Sequence, residues 1–192
     1  MKKLFWVTLL LFLLISSAFS QTSKEILIYD GEKEGSDLAS IGFWASPDGC
    51  KAEEVEGVAF SGKKSIKIHF VWTSWWAGMG INFTKWDLNN TSKILDLSQF
   101  NTLEFYIKAE KSDNYNLLIT LVEAPINSNE KEKYSGKFTI TGGVSTSWTK
   151  ISVPLKSFSD VDLKRIWGMS IEVSGTPAGD ATLYVDDIRF VK

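Results

Sequence analysis

TLEFYIKA, the stretch Thr102–Ala109, alternates apolar and polar side chains without interruption. Successive side chains of a β-strand point to opposite sides, so every second residue from Leu103 onward would face one way. Glu104, Tyr106 and Lys108 would then face the other way. The stretch therefore predicts a half-buried strand with one core side and one solvent side.

The same period of two recurs along the chain, in short runs separated by clusters of Gly, Asn, Asp, Ser and Pro. No amphipathic helical pattern accompanies it. An aperiodic polar stretch, residues 123–133, predicts a long exposed loop. Ten candidate strands predict an all-β fold of two packed antiparallel sheets, a β-sandwich: residues 26–30, 41–45, 65–72, 77–84, 102–109, 115–122, 134–140, 149–153, 167–173 and 182–191.

The first twenty residues have the features of a secretory signal peptide. Lys2 and Lys3 precede an apolar run over residues 4–15, and residues 18–20 read Ala-Phe-Ser, a small-residue cleavage pattern. A membrane anchor is the alternative, but the run is shorter than the roughly 20 residues that span a bilayer. We therefore expect a signal peptide at 1–20, one domain at 21–192, no membrane span after cleavage, and a secreted or periplasmic protein.

Composition limits the partners of this domain. A formal charge of −2 and a pI near 5.5 leave no broad basic field for phosphates, which argues against nucleic acid. Cys50 is the only cysteine, so no intrachain disulfide is expected. Burial of that thiol is favoured over a reactive or intermolecular role. Eight tryptophans make the chain rich in aromatic side chains.

Five motifs, in order, make the sequence more specific than a generic sandwich. They are IYDGE at 28–32, SGKKSIKI at 61–68, WTKISVPL at 148–155 with Phe158, IWGMSI at 166–171, and LYVDDIRF at 183–190. This series resembles the galactose-binding-like jelly-roll domains, especially carbohydrate-binding modules of families 11, 30 and 4 and the related intermediate-associated domain of complex I assembly factors.

The resemblance implies a jelly roll with a sugar-binding groove and, commonly, a structural calcium that ties the first and last strands. By that resemblance, Glu32 and Asp186 would be side-chain ligands, with Asp30 nearby and backbone oxygens supplied near Ser65. Strand alternation places Asp186 on the core side, where an unpaired carboxylate is costly. The alternative is that these carboxylates are solvated or pair with Lys and Arg.

The segment 71–82 holds three tryptophans within five residues, Trp72, Trp75 and Trp76, followed by two glycines. Flat aromatic faces stack on the C–H patches of sugar rings, and nearby polar side chains bind the hydroxyl groups. At least one of the three is therefore expected to stack on a ligand, with Trp76 favoured. Packing in the core or at the edge of a sheet is the alternative for each of them.

Polar partners for that face are expected from other strands. If Met79 and its alternate neighbours point inward, Trp76 and Asn82 share the outward side. Glu104 and Tyr106 of one strand, and Glu172 of another, are expected to align with that side. Trp148 and Trp167 are expected to be structural, while Trp44 and Trp86 stay undecided.

The sequence favours a protein without catalytic activity. His69 is the only histidine, and it lies on a solvent-facing strand side without a nucleophile motif around it. A glycoside hydrolase needs two carboxylates across the scissile bond. Asp186 and Asp187 are adjacent in a strand and would point to opposite sides, so they cannot form that pair. Neither zinc-ligand spacing nor a phosphate-binding glycine loop is present.

We therefore expect an exported carbohydrate-binding module that holds a β-glucan-like polysaccharide through aromatic stacking and polar contacts. Its further partner would be a separate glycoside hydrolase or a surface protein. One alternative is a protein-interaction scaffold of the intermediate-associated type, with the tryptophan cluster as its hot spot. A second alternative is a small glycoside hydrolase or lyase.

Overall fold

A computed structural model describes residues 25–32, 42–72, 76–112, 115–174 and 179–192, which form two six-stranded antiparallel sheets. The first sheet contains β1 Glu25–Tyr29, β3 Lys51–Glu56, β4 Lys64–Trp72, β6 Thr102–Ala109, β10 Thr149–Pro154 and β12 Gly179–Val191. The second contains β2 Gly42–Ser46, β5 Trp76–Asn82, β7 Asn116–Glu123, β8 Lys133–Tyr134, β9 Phe138–Ile140 and β11 Ile166–Ser174.

The strand order shows that the first strand pairs with the last one. The first sheet runs β10-β6-β12-β4-β3, and β1 also pairs with β12. The second runs β2-β5-β11-β7-β8, and β9 also pairs with β7. The long β12 therefore contacts the first strand near its end and β4 near its beginning. The predicted all-β, two-sheet antiparallel sandwich is confirmed.

The core lies between the two sheets, and the alternation of side chains along β6 determines which of its residues face that core. Leu103, Phe105 and Ile107 are fully buried, as the pattern predicted. The same alternation along β4 buries Ile66, Ile68, Phe70 and, at its end, Trp72. Packing of these apolar side chains is the main stabilising contribution, about 1.5–3 kcal/mol for each fully buried one.

Two strand predictions differ from the structure. The strand β3 has no predicted counterpart, because its sequence KAEEVE lacks the alternation of a half-buried strand. The predicted strand 134–140 is instead two short strands, β8 and β9, which pair separately with β7. Between these two strands, the backbone N–H of Ser135 donates to the carbonyl of Leu121, while the N–H of Leu121 donates to the hydroxyl of Ser135. A side-chain hydroxyl thus replaces a backbone carbonyl, and this interrupts the regular ladder.

The predicted direction of Asp186 is wrong because a bulge interrupts the alternation. Pairing between β12 and β6 shifts register between Asp186 and Arg189, and Asp187 has a left-handed φ of 58°. Val185 and Ile188 both face the core across this bulge. Asp186 therefore points to the outward side of the first sheet, where the turn formed by residues 57–63 covers it completely.

The connections between strands contain little regular structure. Three short 3₁₀ turns are present in the described ranges, at Thr91–Lys93, Leu155–Ser157 and Leu163–Arg165. The predicted loop is found between β7 and β8, with Ile126 71% exposed at its tip. Within the described ranges, no helix has both the length and the apolar character needed to cross a membrane.

Candidate functional site

The outward side of the second sheet brings five strands into register. Across β2, β5, β11 and β7, one row consists of Ser46, Gly78, Glu172 and Leu118, and Thr139 of β9 continues it. The next row consists of Trp44, Gly80, Ser170 and Thr120. We call this side, with Trp44, Trp76, Thr120, Ser170 and Glu172, the tryptophan face.

Two indole rings cover the glycines at the centre of the tryptophan face. The rings of Trp44 and Trp76 are near-parallel, with centroids 6.3 Å apart and an interplanar angle of 26°. A methyl group on Gly78 would lie 2.6 Å from Cζ2 of Trp76 and 3.2 Å from Cη2 of Trp44, and one on Gly80 would overlap the Trp44 ring. Glycine is therefore required at both positions for the rings to lie against the sheet.

Glu172 connects the second indole to the rest of the face. Its Oε2 accepts hydrogen bonds of 2.6 Å from Nε1 of Trp76 and 2.6 Å from Nζ of Lys137, and its Oε1 accepts one of 3.0 Å from the Ser170 hydroxyl. The side chain is only 6% exposed. A buried carboxylate is costly unless it is paired. These three donors satisfy that requirement and fix the orientation of the indole.

A shallow depression of about 340 Å³ lies beside Trp76. Thr120 and Glu172 line it from the sheet, while Tyr134 and Lys137 line it from the connection that carries β8. The side chain of Tyr134 is 44% exposed, and its hydroxyl donates to Glu132. Partial burial, that hydrogen bond and the negative charges of Glu132 and Glu172 raise the pKa of Tyr134, so it stays protonated at neutral pH.

The structure places the predicted site residues of segment 71–82 in different environments. Trp76 lies on the tryptophan face, and its predicted alignment with Glu172 is confirmed. Trp72 does not: it is 4% exposed, faces the core and packs edge-on against Tyr115. Trp75 lies outside the described residues. Asn82 is buried, and its Oδ1 accepts from the backbone N–H groups of Thr84 and Trp86, so it shapes the turn after β5.

The predicted alignment of Glu104 and Tyr106 with Trp76 is wrong. Both face outward, as alternation predicted, but β6 belongs to the first sheet. They are therefore on the opposite side of the sandwich, where Glu104 forms an ion pair of 2.8 Å with Lys150. Alternation gives the side of a strand that faces solvent but not the sheet to which the strand belongs.

Three residues of the tryptophan face and the depression beside it are not predicted from the sequence. Trp44 has no decided role in the sequence, and only its pairing with Gly80 places it beside Trp76. Tyr134 and Lys137 belong to the region around two very short strands, where the sequence has no periodicity that indicates direction.

Of the two tryptophans expected to be structural, Trp167 is buried as expected. Trp148 is half-buried on the outward side of the first sheet, against Phe60.

The predicted calcium ligands converge on the turn 57–63. Asp186 accepts hydrogen bonds from the N–H groups of Phe60 and Ser61, at 2.8 and 3.2 Å, and from its neighbour Asp187. The carboxylate of Glu32 occupies the place that a side chain on Gly62 would fill. The first and last strands therefore hold this turn between them.

The donors at this turn suit a hard cation in part. Ser65 is buried and donates to the carbonyl of Val58, and Asp30 accepts from the N–H of Glu32. Burial raises the pKa of Asp186 to about 6, against the lowering effect of its backbone donors. In the described ranges, no three acidic, histidine or cysteine side chains come together as metal ligands. Calcium would therefore need carbonyl oxygens and water beside the two carboxylates.

A β-sandwich with two indoles on one outward sheet face, beside a paired carboxylate, is the architecture expected of a carbohydrate-binding module of the β-sandwich class. Residues 41–192 match the family described as carbohydrate binding domain 30, and the chain belongs to that family. No curated protein matches the sequence.

Solved structures of other modules are similar in fold. The family 30 module of the cellulosomal cellulase Cel9D-Cel44B of Clostridium thermocellum has a TM-score of 0.65 at 15% identity, over 88% of this chain and 97% of that one. The family 11 module from the same organism, in complex with a β-1,3-1,4-mixed-linked tetrasaccharide, has a TM-score of 0.63 at 17% identity, over 87% and 95%. The CBM22-1 xylan-binding domain of Paenibacillus barcinonensis Xyn10C has a TM-score of 0.51 at 17% identity, over 88% and 97%.

Proposed function

We propose that the protein is an exported, non-catalytic module that holds a neutral, β-glucan-like polysaccharide on the tryptophan face. The observation that carries this proposal is the pair of near-parallel indoles, Trp44 and Trp76, lying over two glycines on an outward sheet face. The C–H side of a pyranose ring stacks on such a surface, because it covers apolar area without taking sugar hydroxyls away from water.

The charges of the face favour a neutral ligand. The carboxylate of Glu172 and the ammonium of Lys137 neutralise each other at 2.6 Å. The Lys137 side chain is 46% exposed and has three donors, of which one is used on Glu172. Its remaining donors, and the Tyr134 hydroxyl oxygen as an acceptor, are therefore available to sugar hydroxyls along the edge of the depression.

The similar modules suggest which glycans to test first. The family 11 structure contains a mixed-linked β-glucan oligosaccharide, and the family 30 structure belongs to a cellulase. The CBM22-1 domain is named for xylan. Mixed-linkage glucan and cellulose are therefore the first candidates, and xylan is the matched comparison.

The scarcity of carboxylates around the depression supports a module without catalytic activity. Glycoside hydrolysis by the usual mechanisms needs an acid and a second carboxylate about 5–10 Å apart across the sugar bond. Among the described residues that line the depression, Glu172 is the only carboxylate, and both of its oxygens accept hydrogen bonds from other side chains. Enzymes that act on the bound glycan would then be other proteins or domains.

Two further parts of the proposal concern export and calcium. The basic and apolar pattern of residues 1–20 supports export through a signal peptide. Glu32 and Asp186, which clasp the turn 57–63, would hold a structural calcium ion together with backbone oxygens near Ser65. Such an ion would stabilise the joined ends of the chain at a distance from the glycan.

The decisive experiment is calorimetric titration of the mature domain with mixed-linkage glucan, cello-oligosaccharides and xylan, alongside an assay for released reducing sugar. Trp44→Ala and Trp76→Ala should each weaken glucan binding by about 5- to 150-fold, which corresponds to the roughly 1–3 kcal/mol that one base stacked on an aromatic side chain contributes. Trp148→Ala, on the opposite sheet, is the matched control and should bind glucan as the wild type does.

Several outcomes would reject this proposal. Failure to bind any neutral glycan would favour the protein-interaction alternative. Release of reducing sugar by the purified domain would favour the hydrolase alternative. Equal loss of binding in Trp76→Ala and in the Trp148→Ala control would show that the tryptophan face is not the site.

A further inference from the structure

The depression beside Trp76 has two walls and a floor. Strand order places β11 and β7 between β5 and the connection that carries β8, so Trp76 approaches from one side and Tyr134 and Lys137 from the other. Between these walls, Thr120 of β7 and Glu172 of β11 belong to the floor. A side group of a sugar that lies on the Trp76 ring can therefore enter the depression and meet the floor.

The polar side chains at this floor already have hydrogen-bond partners, with one exception. Both oxygens of Glu172 accept bonds from other side chains. The hydroxyl of Ser135, which also lines the depression, donates to the carbonyl of Gly136 and accepts from the N–H of Leu121. The hydroxyl of Thr120 has no hydrogen-bond partner in the described part of the chain, and the residue is only 1% exposed.

An unpartnered hydroxyl at this position does not help the fold. A buried hydroxyl that loses water without gaining a partner is unfavourable, and the large majority of buried polar groups are paired. Valine has nearly the same shape as threonine, is equally suited to a strand and lacks this penalty. Thr120 nevertheless lies between Ile119 and Leu121, in a strand, NLLITLVE, whose other residues are apolar except at its two ends. The hydroxyl therefore indicates a role in binding.

The hydroxyl can reach the depression by a change of rotamer. Protein atoms cover the oxygen of Thr120 although the residue lines the depression, so the part of its side chain that meets the depression is hydrocarbon. Rotation by about 120° around χ1 joins two staggered rotamers and exchanges the hydroxyl with the methyl group. The two groups are similar in size, so the rotated side chain needs no additional space. A ligand that offers a hydrogen bond in the depression would favour the rotated form.

The chemistry of the depression suits a short carbon arm that ends in a hydroxyl group. The rings of Trp76 and Tyr134 offer apolar surface to the carbon, and Thr120 offers a hydrogen bond to the hydroxyl. A hexopyranose has such an arm, the exocyclic hydroxymethyl group, and a pentopyranose lacks it. The other groups do not make this distinction, because the Lys137 ammonium can bind ring hydroxyls, which both kinds of sugar possess.

We infer that Thr120 is a specificity-determining residue, which binds the exocyclic hydroxymethyl group of a hexose unit stacked on Trp76 and so selects glucans over pentose polymers. This inference rests on the function proposed for the tryptophan face and adds the feature of the sugar that the face recognises. A site that hydrogen-bonds a ligand hydroxyl discriminates against an analogue without it, because the polar group of the site is then left unpaired.

The test uses Thr120→Val, which removes the hydroxyl and keeps the shape of the side chain. Calorimetry of the mature domain compares cellohexaose with its 6-deoxy analogue, in which a methyl group replaces each hydroxymethyl group. Thr120→Val should weaken cellohexaose binding roughly 2- to 13-fold, the net effect of one hydrogen bond, and should bind the 6-deoxy analogue as the wild type does. Its Tm should equal or exceed that of the wild type, because the unpartnered hydroxyl is gone. Thr102→Val, in β6 of the opposite sheet, is the matched control and should keep wild-type affinity for both ligands.

Four results would overturn the inference while the function of the tryptophan face stands, as shown by loss of cellohexaose binding in Trp76→Ala. They are wild-type cellohexaose affinity in Thr120→Val, an equal loss for cellohexaose and the 6-deoxy analogue, a Tm well below that of the wild type, and equal wild-type affinities for cellohexaose and xylohexaose. The third would make Thr120 a structural residue. If the wild type binds no neutral glycan, the proposed function fails and this inference fails with it.

Discussion

Trp76 donates its indole N–H to Oε2 of Glu172 over 2.6 Å, although the two residues are 96 positions apart in the chain. The bond is possible because β5 and β11 are neighbours and place Glu172 opposite Gly78, the position over which the Trp76 ring lies. Because both oxygens of Glu172 already accept bonds from protein donors, the carboxylate orients the indole on this face.

The first prediction follows from this orienting role. Glu172→Gln keeps an acceptor for the indole and should weaken glucan binding only a few-fold. Glu172→Leu leaves the Trp76 N–H and the Lys137 ammonium without their acceptor, which costs about 1–3 kcal/mol, and should weaken binding by roughly 5- to 150-fold. Calorimetry measures both affinities, and the change in indole fluorescence reports the ring environment independently. Wild-type affinity in Glu172→Leu would show that the indole needs no such support.

The second prediction concerns the glycines beneath the rings. A side chain on Gly80 would overlap the Trp44 indole, so Gly80→Val should displace that ring from the sheet and weaken glucan binding to the level of Trp44→Ala. Titration of Gly80→Val, Trp44→Ala and the combination tests this, because the double variant should be no weaker than either single one. Gly57→Ala is the control for replacing a glycine away from the tryptophan face: the added methyl group meets nothing within 4 Å, but the φ of 81° strains alanine, so this variant should lose stability and keep its glucan affinity. Additive losses would mean that Gly80 acts by another route.

The sequence predicted the strands better than it predicted the site, and the reason is visible in β6. Alternation identified Thr102–Ala109 to the residue and gave the correct outward side for Glu104 and Tyr106. It could not assign β6 to a sheet, since that depends on pairing between strands that are far apart in sequence. The edge strand β3 was missed because neither of its sides has an apolar pattern.

Trp72 shows a different limit of prediction from the sequence. Its spacing from Ile66, Ile68 and Phe70 predicts a core position, but its nearness to Trp75 and Trp76 suggested a shared surface. The structure follows the spacing. The prediction for Asp186 is wrong for the opposite reason, because a single bulge at Asp187 reverses the side to which regular alternation assigns the Asp186 side chain. Neighbouring residues share a surface only where the strand continues without a break.

The third prediction tests the proposed calcium ion. Saturating calcium at 100 times its dissociation constant would stabilise the domain by about 2.7 kcal/mol, which corresponds to a rise of roughly 5–10 °C in Tm. Differential scanning calorimetry with calcium and with chelator measures that shift. Glu32→Gln should abolish it, whereas Glu56→Gln, an exposed carboxylate near the same turn, should preserve it. Equal Tm values under both conditions would mean that the backbone donors to Asp186 suffice without a metal ion.

The last prediction separates the core tryptophan from the surface tryptophan four positions later. Trp72 is 4% exposed, contacts Tyr115 edge-on and lies so close to Gly179 that a methyl group there would be 3.1 Å from Cζ2 of the indole, so truncation opens a large cavity. Trp72→Ala should lower the free energy of unfolding by about 3–5 kcal/mol. Trp76 is half-buried on an outward side, so Trp76→Ala should cost only about 1 kcal/mol, mainly through its lost hydrogen bond. Guanidinium unfolding measures both values, and glucan titration of the folded fraction should show the reverse order of effects. A stable Trp72→Ala that no longer binds glucan would place Trp72 in the binding surface and contradict its position in the core.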